Sequence, residues 1–166
     1  MMENRSVALR ESARACGLCD KWYGEWKGNE SARTLLRKFV EGIDFCIAND
    51  WPKIDMINEC FTKEELRDGG VYLDEDDVLL ESVKNPVLIG SSSARLEYSC
   101  YDVADVYVRH SCEATVVVSD MARVSVNAYD RCKVFIENTG GYPVFVYRHG
   151  KCAVEYDGNV VIRERK

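Results

Sequence analysis

The chain has little that would suggest a membrane protein, an exported protein or an enzyme built around histidine. Two of its 166 residues are histidines and three are prolines. Its apolar runs, such as Thr115 to Val118, are far shorter than the roughly 20 residues of a membrane-spanning helix. Met1 to Arg14 carries charges of both signs and lacks the apolar core of a signal peptide. The sequence therefore predicts a cytoplasmic protein with no membrane partner.

The chain contains eight cysteines. In an exported chain they would suggest a disulfide scaffold, whereas the cytoplasm keeps thiols reduced. Cysteine is also a small apolar residue that suits buried positions. We therefore expect free thiols rather than disulfides.

The net charge of −6 is unevenly distributed. Residues 1–82 hold 11 Lys and Arg against 18 Asp and Glu, a balance of −7, whereas residues 83–166 hold 11 against 10, a balance of +1. An acidic chain has little long-range attraction for nucleic acid, because phosphate contacts dominate that affinity. We therefore expect no nucleic-acid partner.

The first half of the chain has helical patterns. Across residues 31–48, apolar side chains recur at three- and four-residue spacing, which places them on one helix face. Asn29 or Ser31 is placed to cap the start of this helix. Thr62 and Glu65 fit a capping box at the start of a further short helix.

The second half of the chain repeats every ten residues. Two series of positions, two residues apart, carry an apolar residue at every tenth residue. A spacing of two places side chains on the same face of a strand, and polar turn residues separate the units, so we predict a succession of short strands. The first series is Ala94, Ala104, Ala114, Val124, Val134, Val144 and Val154, and the second is Leu96, Val106, Val116, Val126, Ile136, Val146 and Tyr156.

A period of twenty residues is superimposed on the period of ten. Cys112, Cys132 and Cys152 share the parity of the apolar positions, so they are expected to point inward. A coil of two strands and twenty residues would stack them in a column, about 4.8 Å apart. This favours a small β-solenoid, in which each coil is covered by its neighbours. An antiparallel β-sandwich or meander has strands at similar spacing and is the alternative.

The chain is accordingly predicted to be an α+β protein of two domains. Residues 1–82 form a helical domain and residues 83–166 a β-repeat domain, with the junction near the acidic run Asp74 to Asp77. This run lacks the Gly and Glu of an EF-hand loop, so we expect a solvated loop there. Val160 follows a shortened step of the repeat, and the charged residues 163–166 are predicted to cap the last coil.

Three units of the repeat, Ala104 to Val108, Ala114 to Val118 and Ala122 to Val126, have the pattern Ala-x-Val-x-Val. They resemble the short Ala-x-Val-x-Ala/Val β-repeats of uncharacterised bacterial and phage-associated proteins, over about residues 94–162. The resemblance carries no known activity and no catalytic residue. It implies a structural or binding role in a phage or mobile-element setting.

A CxxC motif marks Cys16 and Cys19 as candidate metal ligands or redox thiols. A structural zinc site needs two further ligands, and the sequence has neither a second CxxC nor an HxxxH motif. We therefore predict no cofactor, and we retain these two cysteines as the candidate ligands should a metal bind.

His110 and His149 fall in predicted turns of the repeat. In a twenty-residue coil, His110 and Asp130 share one corner, and His149 lies at the neighbouring position of the same turn. The three side chains could then converge as a general base or a metal-ligand set. The alternative is that the histidines are surface turn residues without a chemical role.

The sequence contains no GxSxG elbow and no phosphate-binding glycine loop. It predicts a non-enzymatic structural or protein-interaction protein that binds a protein partner or itself. The alternatives are a small metal-binding protein or enzyme that uses the turn histidines or the CxxC, and an acidic inhibitor that acts through residues 1–82. Tyr and Arg are favoured at interfaces. The predicted contact residues, taken as outward-facing, are Tyr107, Arg109, Arg123, Tyr147 and Arg148.

Overall fold

A computed structural model of the chain describes residues 4–165. These residues divide into two compact units, which meet in sequence at Gly69 and Gly70. The first unit is helical and the second is built of strands, so the predicted α+β class is confirmed. None of the described helices has the length and apolar character needed to cross a membrane.

The helical unit consists of short helices. Its buried side chains include Trp26 and Trp51, whose rings pack edge to face with centroids 6.5 Å apart. Each indole N–H donates to a serine hydroxyl, Trp26 to Ser6 and Trp51 to Ser12, so these large apolar rings carry no unsatisfied donor. The helices are α1 (Arg5–Ala15), α2 (Asp20–Glu25), α3 (Ala32–Glu41), α4 (Ile43–Asn49), α5 (Ile54–Cys60) and α6 (Lys63–Asp68).

The helix predicted across residues 31–48 is interrupted at Gly42, which separates α3 from α4. Glycine lowers helix propensity because its backbone loses the most freedom on folding, and the apolar pattern gave no sign of this break. The predicted start is confirmed, since the Ser31 hydroxyl accepts a hydrogen bond from the backbone N–H of Thr34. The capping box of α6 is confirmed as well, with Thr62 and Glu65 each bonding the other's backbone N–H.

The β unit is a solenoid of about five coils. Each coil contributes one strand to each of two parallel sheets, and each strand pairs with the strands of the coils before and after it. The predicted solenoid is therefore confirmed, and the antiparallel sandwich or meander is excluded. Sheet A contains β1 (Val71–Leu73), β3 (Val87–Ile89), β5 (Val103–Val108), β7 (Arg123–Ala128), β9 (Val144–His149) and β11 (Val160–Arg165). Sheet B contains β2 (Val78–Glu81), β4 (Ser93–Tyr98), β6 (Glu113–Val118), β8 (Lys133–Asn138) and β10 (Ala153–Gly158).

The coil length is twenty residues in the middle of the solenoid and sixteen at both ends. Glu113 pairs with Lys133, twenty residues on, whereas Val71 pairs with Val87 and Val144 with Val160, sixteen residues on. The shortened step predicted before Val160 is thus confirmed. The first coil is shortened in the same way.

The core lies between the two sheets and is filled by the predicted apolar series. Alternate residues along the central strands are buried, and Leu96, Val116 and Ile136 stack in one column of sheet B. The series loses its burial in the last strand of this sheet, where Val154 is half-buried and Tyr156 is exposed.

The boundary between the units lies earlier than the predicted junction at residues 82 and 83. Both β1 and β2 pair with strands of the solenoid and belong to it. The ten-residue pattern could not reveal them because their coil is four residues shorter than the later ones.

Candidate functional site

The turns between strands share one backbone conformation. Cys100, His110, Asp120 and Asp130, which are ten residues apart, all have a positive φ, between 52° and 61°. This left-handed conformation costs most residues energy, but Asn and Asp tolerate it because their side chains bond locally. Turns on the same side of the solenoid are twenty residues apart and stack on one another, because the backbone N–H of Met121 donates to the carbonyl of Cys100.

The side chains of His110, Asp120 and Asp130 each connect their turn to the preceding one on the same side. The backbone N–H of Cys100 donates to Oδ2 of Asp120, and that of His110 donates to Oδ2 of Asp130, both at 2.9 Å. The backbone N–H of Gly90 donates to Nδ1 of His110 at 3.0 Å. The turn side chains therefore satisfy backbone donors that a strand ladder would otherwise satisfy.

His110, Asp130 and His149 were predicted to converge in one turn, but in the structure each of them makes a structural contact instead. His110 and Asp130 do share a corner, but Nδ1 of His110 is occupied as an acceptor and Asp130 bonds backbone. His149 stacks on Tyr129 with ring centroids 4.3 Å apart. Burial and the nearby Arg165 lower the pKa of His149, which favours the neutral ring. Nothing in this arrangement directs the two imidazoles toward one shared ligand.

The turn carboxylates give a testable expectation. Replacing Asp120 with alanine should lower the free energy of unfolding by about 2 kcal/mol, because Cys100 N–H loses its acceptor and alanine disfavours a positive φ. Asp120→Asn keeps an acceptor oxygen and tolerates this φ, so it should cost less than half as much. Urea unfolding followed by far-UV circular dichroism measures both values. Equal losses for the two variants would contradict the role of the turn bond.

Three cysteines of the solenoid, twenty residues apart, are buried packing residues. Cys112, Cys132 and Cys152 are buried in one column, which confirms the predicted inward direction, and no disulfide joins the cysteines of the described chain. Burial raises the pKa of Cys112 to about 11 and that of Cys132 as well, so both stay protonated near neutral pH.

The cysteines of the CxxC motif lie at a helix–helix connection. Cys16 follows the last residue of α1, Cys19 precedes α2, and both are exposed. In residues 4–165, no three His, Cys, Asp or Glu side chains are grouped closely enough to hold a metal ion. These two residues thus stand without a third candidate ligand from the described chain.

The outward side chains of β7, β9 and β11 form a surface that we call the arginine face. It contains three arginines, no carboxylate, and the aromatic rings of Phe145, Tyr147 and His149. Strand alternation places these residues outward, because the intervening ones form the core. The face comprises Arg123, Ser125, Asn127, Phe145, Tyr147, His149, Val161, Arg163 and Arg165.

Each arginine of this face lies over an aromatic ring. The guanidinium carbon of Arg123 is 4.2 Å from the centroid of Tyr142, which lies in the turn before β9. That of Arg163 is 5.4 Å from Phe145, and that of Arg165 is 4.9 Å from Tyr147. Cation–π contacts of this kind stabilise the arginine position while the N–H groups stay available.

The same three arginines are exposed and carry no ion pair with any residue that the structure describes. Within residues 4–165, no carboxylate oxygen lies within 4.0 Å of Arg123, Arg163 or Arg165. By contrast, Arg148 is paired with Glu164. The arginine face therefore presents charge that the described chain leaves unneutralised.

The five predicted contact residues have different positions. Arg123 is exposed, and Tyr147 is half-buried beneath Arg165; both belong to the arginine face. Tyr107 is half-buried on the neighbouring strand β5 and faces outward.

The other two predicted contact residues do not lie on an exposed outward surface. Arg109 is buried, and Arg148 has the inward parity. Arg109 is 5% exposed and follows β5 beside β3, whose outward residues Val87 and Ile89 are buried as well. Arg148 has the inward parity, in register with Ala128, and its charge is paired at the edge of the core.

The opposite surface of the solenoid has the opposite charge. We call the outward side chains of β2, β4, β6, β8 and β10 the carboxylate face. Six of them are acidic and two are basic: Glu81, Glu97, Glu113, Glu137, Glu155 and Asp157 against Arg95 and Lys133. Lys133 and Arg95 each pair with a glutamate of this face, at 3.5 Å and 2.8 Å. A groove of about 570 Å³ crosses this face and is lined by residues such as Leu79, Thr115 and Phe135.

Several surface residues were not singled out from the sequence. Tyr101 and Met121 occupy equivalent positions of stacked turns and are exposed, Tyr101 by 82%. The sixteen-residue step brings Arg163 into register with Tyr147 and Arg165 into register with His149. The step of sixteen from β9 to β11 was visible in the sequence and could have placed them.

Comparison of the chain with protein-family models, curated proteins and solved structures finds no match. The function is therefore inferred from the geometry of the two faces.

Proposed function

We propose that the protein is a non-enzymatic interaction module, in which the solenoid supports the arginine face as its binding surface. The observation that carries this proposal is the set of three exposed arginines, held over aromatic rings and without carboxylate partners in the described residues. Arginine and aromatic residues are the side chains that contribute most at protein interfaces. A planar guanidinium recognises a carboxylate by two parallel hydrogen bonds.

The rigidity of the support favours binding over catalysis. Strands are paired on both sides through most of the solenoid, and the turn side chains are engaged in backbone hydrogen bonds. A surface that is fixed before binding loses little conformational freedom when a partner docks. The buried thiols and the engaged imidazole of His110 are poorly suited to act as nucleophile or base. The resemblance of the repeat directs the search for partners to phage or mobile-element proteins.

Affinity capture with matched variants tests the proposal. Immobilised wild-type protein is compared with the triple variant Arg123→Ala, Arg163→Ala and Arg165→Ala in extracts of the source cells. The triple variant should retain at most about one tenth of the captured partner, since each arginine at such a site contributes on the order of 1 kcal/mol. The control variant Arg95→Ala with Lys133→Ala removes basic charge from the carboxylate face and should capture as wild type does. Equal capture by the triple variant and wild type would exclude the arginine face as the binding surface.

A further inference from the structure

The two broad faces of the solenoid carry charges of opposite sign near the same end, unpaired among the described residues. On the carboxylate face, Glu137, Glu155 and Asp157 lie on the adjacent strands β8 and β10, and Glu137 is in register with Asp157. No ion pair joins these three side chains to a basic group within the described part of the chain. On the arginine face, Arg163 and Arg165 lie on β11 and are likewise unpaired there. The surplus charge of one face is therefore matched by a surplus of the opposite sign on the other.

The spacing of the charges also agrees between the faces. Both sheets are parallel and belong to the same coils, so strands follow one another at the same interval of about 4.8 Å on each face. On either face, strands that carry charged side chains are therefore separated by whole multiples of this interval. Two copies placed face to face can bring several opposite charges together without deforming either sheet.

We propose that the arginine face of one copy of this chain docks on the carboxylate face of a second copy. This inference depends on the proposed function, because it names the partner of the arginine face. The contact joins two different surfaces, so a docked pair still offers one free arginine face and one free carboxylate face. Such a heterologous contact continues into an open-ended stack unless its geometry closes a ring.

The area of the faces determines the expected affinity of the contact between two copies. The three six-residue strands of the arginine face cover roughly 14 Å by 20 Å, about 300 Å² per copy. A stable interface buries about 800 Å² per partner, so a single contact of this kind is weak and transient, with a Kd on the order of 0.1 mM. Charge pairs at such an exposed interface are screened by salt. Self-association should therefore require high protein concentration and low ionic strength.

Light scattering on the purified full chain is the first test. At about 50 mM salt, the weight-average mass should at least double between roughly 10 µM and 1 mM protein, and it should return to the monomer value at about 0.5 M salt. A monomer mass throughout this concentration range at low salt would overturn the inference. An increase in mass that salt leaves unchanged would overturn it as well, because the contact would not be electrostatic.

Charge reversal identifies the two faces. The variant Arg163→Glu with Arg165→Glu makes both faces acidic, and the variant Glu137→Lys with Asp157→Lys leaves no surplus acidic patch at that end. Each variant alone should remain monomeric, whereas an equimolar mixture should recover the mass increase, because each variant then meets an opposite face. Circular dichroism spectra like that of wild type show that both variants are folded. Failure of the mixture to associate, or association of either variant alone to the wild-type extent, would contradict face-to-face docking.

The two proposals fail in distinguishable ways. If the chain stays monomeric but the arginine-dependent capture of another protein persists, self-association is excluded and the interaction function stands. Capture of single-stranded nucleic acid by the arginine face, with no self-association, would replace the second copy by a different occupant and would also overturn the inference. Loss of both self-association and arginine-dependent capture would overturn both proposals.

Discussion

Replacing Val116 with aspartate is expected to unfold the solenoid at room temperature. Val116 has no solvent exposure, and it stacks between Leu96 and Ile136 in the centre of the core. A carboxylate there would lose its hydration without gaining a hydrogen-bond donor. Because an entire domain is typically stable by 5–15 kcal/mol, a buried charge removes all or most of that margin. Loss of the strand signal in far-UV circular dichroism would show the effect.

The neighbouring residue provides the matched control. Val117 lies on the same strand but faces outward and is half-buried. Val117→Asp introduces the same carboxylate at a surface position and should cost about 1 kcal/mol or less. A folded Val116→Asp protein with wild-type stability would contradict the burial of this column. Unfolding by both substitutions would show that strand propensity, rather than core packing, dominates.

Replacing Gly158 with alanine is expected to detach the last strand and to lower the free energy of unfolding by about 3 kcal/mol. Gly158 has a φ of +97°, which side chains rarely adopt, so strain alone costs about 1–2 kcal/mol. An added Cβ would also collide with the carbonyl group of Asn138, lying 2.9 Å from its carbon. That residue connects the turn that follows it to β11, because its side chain donates to the carbonyls of Tyr142 and Asn159. Hydrogen exchange should show lost protection of β11, and urea unfolding should show the lower stability.

A substitution at Gly150 separates the cost of backbone strain from the cost of the collision with Asn138. It also has a positive φ, of +78°, but an added Cβ would approach no heavy atom closer than 3.3 Å, the carbonyl oxygen of Asp130. Gly150→Ala should therefore cost about 1 kcal/mol, mainly from backbone strain, and should leave β11 protected. If Gly150→Ala proved as damaging as Gly158→Ala, the contact with Asn138 would not be the cause.

The repeat was predictable because it obeys two simple periods. Alternation of apolar residues locates the strands, and the interval of twenty residues between Cys112, Cys132 and Cys152 identifies the coil. Both signals arise because every central coil places the same kind of side chain at the same position between the sheets. The period of ten alone fits antiparallel strands equally well, so the cysteine column was the decisive observation.

The parts that were missed depend on contacts rather than on periods. The break at Gly42 and the early start of the solenoid at Gly70 lie where no repeat extends. Arg109 has the parity of an exposed residue, yet it is buried, as are the outward residues of the neighbouring strand β3. The arginine face requires knowledge of which strands are adjacent, and no pattern within one strand contains that information.

The uniform register of the central coils has a consequence for how the protein can change in length. Every residue there stacks on its counterpart twenty positions away, so a tandem duplication of one coil would insert without disturbing its neighbours. Such a duplication would lengthen the molecule by about 4.8 Å, one strand interval. An insertion of part of a coil within a central strand would shift the core residues that follow it out of their columns. Related chains whose solenoids differ in length should therefore differ by whole coils.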